Sequence, residues 1–180
     1  DNDLGGDGGG VIHLVTGTLM LYGEIRANAG AGTDRAGGGA GGSVFIEITG
    51  AGTVIGTGSI NAIGGNPGYW YSSGGGGGGR IALVDSDRLS ETVGFNAYGG
   101  DGYSASMRGG AGTIYTHRQG EFPALRVNNG GRDVYSYSTI LPANAGVPYE
   151  LQDLQLADGA KLKSFENIRL NKAYTGLEEA

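Results

Sequence analysis

Apolar and polar residues alternate in short runs along much of the chain. In residues 44–48, the side chains of Val44, Ile46 and Ile48 fall on one face of an extended segment, and Leu19 and Leu21 share a face in the same way. A period of two residues is typical of half-buried β-strands. Helical spacing is hard to find before residue 150, where glycine-rich segments would form poor helices. The pattern therefore predicts an all-β chain.

Runs of glycine precede these strand patterns at a nearly constant spacing. The runs begin at residues 5, 37, 74 and 109, in steps of 32, 37 and 35 residues, and each leads directly into a predicted strand. A period in this range indicates a solenoid or an array of stacked units. The strands that we predict in successive units are 11–15 and 19–27, 43–48 and 53–62, 80–84 and 93–98, 113–117 and 124–127, and 149–156 and 160–170.

Repeated pairs of strands without long helices predict a right-handed parallel β-helix of about five coils. Equivalent strands of successive coils would pair in register, and like side chains would stack in the interior. We expect one such ladder to contain Leu14, Ile46, Leu83 and Tyr115. Residues 1–131 would form the glycine-rich repeat region, and residues 132–180 the C-terminal coils or cap of the same domain.

Each unit is longer than a plain coil requires. A β-helical coil needs roughly 20–25 residues, so about ten to fifteen residues are left over in each unit. The extra residues are the glycine-rich segments 29–42, 64–79 and 99–112. Glycine lets backbones approach closely because it has no Cβ atom. We therefore predict stacked glycine-rich hairpins on one side of the β-helix, with flexible linkers as the alternative.

Composition narrows the class of protein. The chain has 40 glycines but only 4 prolines in 180 residues, and no three-residue period, which excludes collagen. It has no cysteine, so it has neither disulfides nor a cysteine metal site. A net charge of −6 argues against nucleic acid as a partner. No apolar stretch of membrane-spanning length is present, and the start inside a glycine run suggests a piece of a longer protein.

The sequence contains no recognisable catalytic constellation. His13 and His117 are the only histidines and belong to different units, and no serine lies in a nucleophile motif. Asp85 and Asp87 could contribute to a calcium site, but no further ligand follows at a matching spacing, and we favour a solvated turn there. We predict no enzymatic activity and no cofactor, with calcium as the one ion left open.

The hairpin tips carry the candidate binding residues. Residues 66–73, 101–108 and 33–35 interrupt the glycine runs with aromatic and polar side chains. Tyrosine, tryptophan, serine and asparagine are typical of adaptable recognition surfaces, and aromatic rings stack on sugar faces. The alternative is that the aromatic side chains fold back over the glycines. The predicted ligand-binding residues are Tyr69, Trp70, Tyr71, Tyr103, Met107, Arg108 and Arg35.

Several segments resemble known glycine-rich repeats. The segments GGGAGGSVFIEI, GTGSINAIGGN, GGGGGGRIALV and GGAGTIY are similar to the repeats of large bacterial surface or secreted adhesin-like proteins with β-helical regions. This resemblance covers about residues 5–131. The layout also resembles the polyglycine-bundle tail-fibre adhesins of T-even-like phages, whose variable tips bind the host receptor, although the sequences do not match in detail.

These resemblances imply a non-enzymatic adhesion or recognition module. It would lie outside the cell or on a bacterial surface, or at a phage fibre tip. Its partner would be a glycan or a cell-surface receptor of a host or prey cell, and it would form part of an oligomeric fibre. The first alternative is a structural spacer in a giant surface protein, and the second is a β-helical enzyme that degrades polysaccharides.

Overall fold

The computed structural model describes residues 3–69, 71–133 and 137–171. Strands dominate this part of the chain, and the one helical element in it is a single 3-10 turn at Ala105–Met107. The strands are β1 (Val11–Met20), β2 (Glu24–Arg26), β3 (Ser43–Ile55), β4 (Ser59–Asn61), β5 (Arg80–Ser86), β6 (Arg88–Leu89), β7 (Gly94–Asn96), β8 (Thr113–Arg118), β9 (Ala124–Asn128), β10 (Thr139–Leu141), β11 (Tyr149–Leu151), β12 (Asp153–Ala157), β13 (Leu162–Ser164) and β14 (Ile168–Leu170).

The strands form a parallel β-solenoid, as predicted. Long strands β1, β3, β5 and β8 stack in register in one sheet, and short strands β2, β4 and β7 stack in a second sheet. The alternation of apolar residues dictates which side chains enter the interior: Val44, Ile46 and Ile48 of β3 are all essentially buried. The solenoid has about four turns rather than the five coils that we expected.

The interior ladder is confirmed for three of its four predicted members. Leu14, Ile46 and Leu83 are in register on β1, β3 and β5, but the residue opposite Leu83 on β8 is Thr116. Tyr115 pairs with Ala82, one position earlier, so the prediction of Tyr115 was wrong. A shift of one residue along a strand moves a side chain to the opposite face.

The glycine-rich segments form stacked hairpins on one side of the solenoid, as predicted. In the first hairpin, the Gly39 N–H donates to the Gly30 carbonyl (3.1 Å) and the Gly42 N–H to the Ala27 carbonyl (2.8 Å). The second and third hairpins repeat this spacing of three residues. Three residues per turn is the period of an extended polyproline-II-type helix, which has no internal hydrogen bonds. The glycine segments are therefore packed strands and not flexible linkers.

Successive hairpins are hydrogen-bonded with the same period. The N–H groups of Gly38 and Gly41 donate to the carbonyls of Gly74 and Gly77 at 3.0 and 2.8 Å. Most positions leave no room for a side chain, but every third position on the returning strands does, and in one hairpin it is occupied by Ala40. On the returning strands of the first two hairpins, close backbone contact thus requires glycine at two positions in three.

The chain reverses direction after β8. Strand β9 pairs antiparallel with β8, so that Ile114 lies opposite Arg126 and Tyr115 lies opposite Leu125. Ile114 belongs to the core of the first solenoid, whereas Leu125 belongs to a separate core. Because neighbouring residues on a strand point to opposite faces, the second core lies on the other face of the shared sheet.

Residues 124–133 and 137–170 build a second, smaller stack around this second core. Strand β12 pairs parallel with β9, β13 with β10, and β14 with β11, so that two short coils lie in register. The core contains Leu125, Val127, Leu141 and Leu151, together with Ala111 from the last glycine-rich strand. The domain boundary that we placed after residue 131 stays a prediction.

Candidate functional site at the hairpin tips

The three hairpin tips lie side by side in a row. The Gly68 N–H of the second tip donates to the Ala36 carbonyl of the first (2.9 Å). The Tyr103 N–H of the third tip donates to the Ser73 carbonyl of the second (3.1 Å). The backbone of each tip is therefore held by its neighbour, and the side chains are presented from a fixed frame.

Two predicted aromatic residues meet across neighbouring tips. The rings of Tyr71 and Tyr103 have centroids 4.8 Å apart and planes inclined by 65°, an edge-to-face arrangement. Tyr71 is 70% exposed, Tyr103 49% and Tyr69 97%. Tyr69 and Tyr71 thus point to solvent and do not fold back over the glycines. Trp70 lies outside the described residues.

The other predicted residues lie around this aromatic pair or on another tip. Met107 ends the 3-10 turn and lines a groove of about 590 Å³ with Ser72 and Tyr137. The Arg108 Nε is 4.0 Å from the Asp101 Oδ1. Arg35 is exposed on the first tip, where its backbone N–H donates to Asp3 Oδ1. The structure therefore brings Tyr71 and Tyr103 together, and Arg35 belongs to the far tip of the row. Their role as ligand-binding residues stays a prediction.

An ion pair supports the base of the third tip. Arg132 donates to both carboxylate oxygens of Asp101, from Nε at 2.8 Å and from Nη2 at 3.3 Å, and its guanidinium lies 4.5 Å from the centre of the Tyr98 ring. The Asp101 N–H donates to Asn66 Oδ1 on the neighbouring tip (2.9 Å). Hydrogen bonding from Arg132 lowers the pKa of Asp101, and partial burial opposes this effect.

This ion pair predicts a small loss of stability in acid. Because the pKa of Asp101 is lower in the folded state, its ionised form stabilises the protein at pH values above the ordinary aspartate pKa of about 3.9. This stabilisation is lost as the pH falls through the lowered pKa. We expect thermal unfolding between pH 6 and 2.5 to show a steeper decline for the unmodified protein than for Asp101→Asn. The difference should be modest, because the Asp101 side chain is about half exposed. If the two proteins lost stability identically as the pH falls, the stabilising role of the Asp101–Arg132 ion pair would be wrong.

A buried asparagine closes the end of the glycine bundle. Asn129 is fully buried, and its Oδ1 accepts from the Gly99 N–H at 3.0 Å. Its Nδ2 donates to the carbonyls of Arg132 (2.9 Å) and Gly109 (3.3 Å). One side chain thereby pairs the Gly99 N–H and the carbonyls of Gly109 and Arg132.

Asn129 takes the place of a backbone carbonyl of the next coil. In the lower layers, the Ala29 N–H donates to the Ile63 carbonyl and the Gly64 N–H to the Tyr98 carbonyl. The Gly99 N–H is the equivalent donor of the third layer, and Asn129 Oδ1 is its acceptor. We did not predict Asn129 or Arg132 from the sequence. The absence of a fourth glycine-rich segment after residue 112 was the one signal that could have pointed to them.

The described residues show no metal centre. No three side chains of histidine, cysteine, aspartate or glutamate converge among them in a way that could hold an ion. Asp85 lies in the turn that we considered for calcium, and its Oδ1 accepts a hydrogen bond from His117 Nδ1 at 3.0 Å. The described part of the chain also contains no helix of the length and apolarity that a membrane crossing requires.

The chain matches no protein-family model, and it shows no significant similarity to a curated protein or to a solved structure. Function must therefore be inferred from the site itself.

Proposed function

We propose that this protein is a non-enzymatic recognition module that binds a glycan or a cell-surface receptor through its hairpin tips. The observation that supports this proposal is the exposed Tyr71–Tyr103 pair, which bridges two neighbouring hairpins, with Tyr69 almost fully exposed beside it in the chain. A large exposed aromatic side chain contributes nothing to a core. It provides a flat surface for a sugar ring or an apolar anchor for a protein interface.

The rigid frame beneath the tips favours binding. Backbone hydrogen bonds join each tip to the next, so little backbone freedom remains to be lost when a ligand binds. Tyrosine side chains add contact area at a low entropic cost. Together with the resemblance to surface adhesins and fibre proteins, this arrangement is consistent with an extracellular location and with a place in an oligomeric fibre.

Alanine substitutions at the tips test the proposal. We expect the double variant Tyr71→Ala/Tyr103→Ala to lose binding to a glycan array or to target cells by at least about tenfold, since aromatic residues at the centre of an interface often contribute about 2 kcal/mol or more. Stability should change little, because both side chains are exposed. The matched control is Tyr22→Ala, which removes an equally exposed tyrosine from the body of the solenoid.

Unchanged binding by the double variant would contradict the proposal. Equal cell adhesion after deletion of residues 66–73 would instead favour the spacer alternative, in which the stacked coils serve only to extend a surface protein.

A further inference from the structure

The first solenoid is one strand short in its second sheet. The long sheet contains four stacked strands of this solenoid, of which β8 is the last, whereas the short sheet ends at β7 after three. After β8 the chain turns back as β9 and does not cross to the short sheet. Strand β7 therefore has one free edge, at the level where a fourth short strand would pair.

Two backbone groups of buried residues mark this edge, and the first is a carbonyl. In the lower layers, the Ser59 N–H donates to the Gly23 carbonyl (3.0 Å) and the Gly94 N–H to the Gly58 carbonyl (2.9 Å). The carbonyl of Val93 is the next in this series, and no described residue donates to it. Val93 is only 5% exposed.

The second group is an N–H. The Ala27 N–H donates to the Asn61 carbonyl (2.7 Å), and the Ala62 N–H donates to the Asn96 carbonyl (2.8 Å). The N–H of Ala97 is the next in this series and has no acceptor within the described part of the chain, although Ala97 is 2% exposed. Buried backbone groups without partners are rare in proteins, because each lost hydrogen bond is costly.

A cleft follows the free edge along its length. One part, of about 330 Å³, has an apolar floor that includes Val93, Phe95 and Ile114, and its opposite wall carries Arg126 and Gln155. A second part, of about 240 Å³, borders residues 95–98. Residues 93–97 span about 13 Å in an extended conformation, so the cleft offers room for a short extended segment.

The side chains of the short sheet define what such a segment should carry. Ile25, Ile60 and Phe95 are in register and form the apolar central row. One residue later, Asn96 Nδ2 donates to Asn61 Oδ1 (2.8 Å), so that an amide ladder runs beside this row. A further strand would continue both rows with an apolar residue followed by an amide.

We propose that the cleft binds an extended peptide segment of a partner protein, which pairs parallel with β7 as the missing fourth strand. The segment places an apolar side chain over Phe95 and an asparagine or glutamine beside Asn96. Its backbone donates to the Val93 carbonyl and accepts from the Ala97 N–H. Addition of a strand to a free sheet edge is a common mode of peptide recognition. This site is separate from the hairpin tips and does not depend on the function proposed for them.

The backbone pattern favours a peptide over a sugar. The free groups recur at every second residue along an extended edge, which matches the hydrogen-bonding pattern of a parallel strand. The cleft walls carry both signs of charge: Arg118 and Arg126 are positive, and Glu91 and Asp153 are negative. This mixture does not select for an acidic polysaccharide.

A capped peptide with the sequence of residues 58–63, Gly-Ser-Ile-Asn-Ala-Ile, is a suitable probe for the full chain. It reproduces the strand that already stacks on Glu24–Arg26 in the second layer. We expect saturable binding by fluorescence anisotropy of the labelled peptide. N-methylation at its serine removes the N–H that would donate to Val93 and should weaken binding at least about tenfold. N-methylation at its first isoleucine, whose N–H would face away from β7, is the matched control.

Two protein variants complete the test. Ala97→Pro removes the free N–H and places a ring at the edge, but it keeps the Ala97 carbonyl that accepts from Gly112. Gln155→Trp fills the cleft from an exposed position on the opposite wall and remains informative if the proline variant fails to fold. Both should reduce peptide binding at least about tenfold. No saturable binding, equal effects of the two N-methyl groups, or cleft resonances perturbed by oligosaccharides and not by the peptide would overturn the proposal.

Discussion

Replacing Gly76 by alanine should destabilise the protein by about 3 kcal/mol or more, because its Cβ atom would meet the backbone of another hairpin. The added Cβ would lie 1.8 Å from the carbonyl oxygen of Gly39 and 2.4 Å from its carbonyl carbon. That oxygen also accepts a hydrogen bond from the Gly65 N–H (2.8 Å). No side-chain rotation can relieve a contact between Cβ and backbone, so two packed strands would have to separate.

The next residue provides a matched control within the same run of six glycines. A Cβ on Gly77 would have its nearest neighbour, the Gly110 oxygen, at 3.9 Å. Gly77→Ala should therefore be neutral or stabilise the protein by up to about 1 kcal/mol, since alanine restricts the unfolded chain. Urea unfolding followed by circular dichroism measures both variants. Equal costs at the two positions would show that the glycine strands are not packed in the observed register.

Replacing Asn129 by alanine should cost about 3 kcal/mol of unfolding free energy. The variant leaves the Gly99 N–H and the Gly109 and Arg132 carbonyls without their partner at a fully buried position. Each buried group that loses its hydrogen bond contributes about 1–3 kcal/mol, reduced where water can enter. Asn129→Asp should also be destabilising, because a carboxylate cannot donate to the two carbonyls.

Asn128→Ala is the control for this prediction. Asn128 precedes the buried asparagine but is only partly buried, and its side chain accepts one hydrogen bond, from the Gly130 N–H. We expect a cost of about 1 kcal/mol or less for its removal. Thermal unfolding monitored by circular dichroism distinguishes the two positions. A cost at Asn129 no larger than that at Asn128 would contradict its role in closing the glycine bundle.

The first solenoid was largely predictable because its signals are local. The glycine runs and the alternating residues 44–48 follow from which residues can pack at each position of an extended backbone. The hairpins were predictable for the same reason, because consecutive glycines at a fixed spacing need a structure that has no room for Cβ atoms. Tyr115 shows the limit of this approach. The alternation in residues 113–116 fits either face, and only pairing with β5 places Ile114 inward.

The candidate site was predictable in part. Aromatic and polar residues between the glycine runs indicated the tips, but not that Tyr71 and Tyr103 would meet across two hairpins. The support from Arg132 could not be inferred, because its partner Asp101 is separated from it by 31 residues and lies outside any repeat relation. The cleft beside β7 could not be predicted from the sequence either, because it results from a strand that is missing from the stack.

The sequence by itself determined that this chain forms stacked parallel strands, because alternation acts within each repeat, and it favoured packed glycine hairpins over flexible linkers, because glycine has no Cβ atom. Only the tertiary structure decided where the stack ends. The pattern of apolar residues in 124–128 is the same for parallel and antiparallel pairing, so the reversal at β9 depends on which core its residues can join. That reversal moves the second core to the opposite face of the sheet and leaves the edge of β7 open.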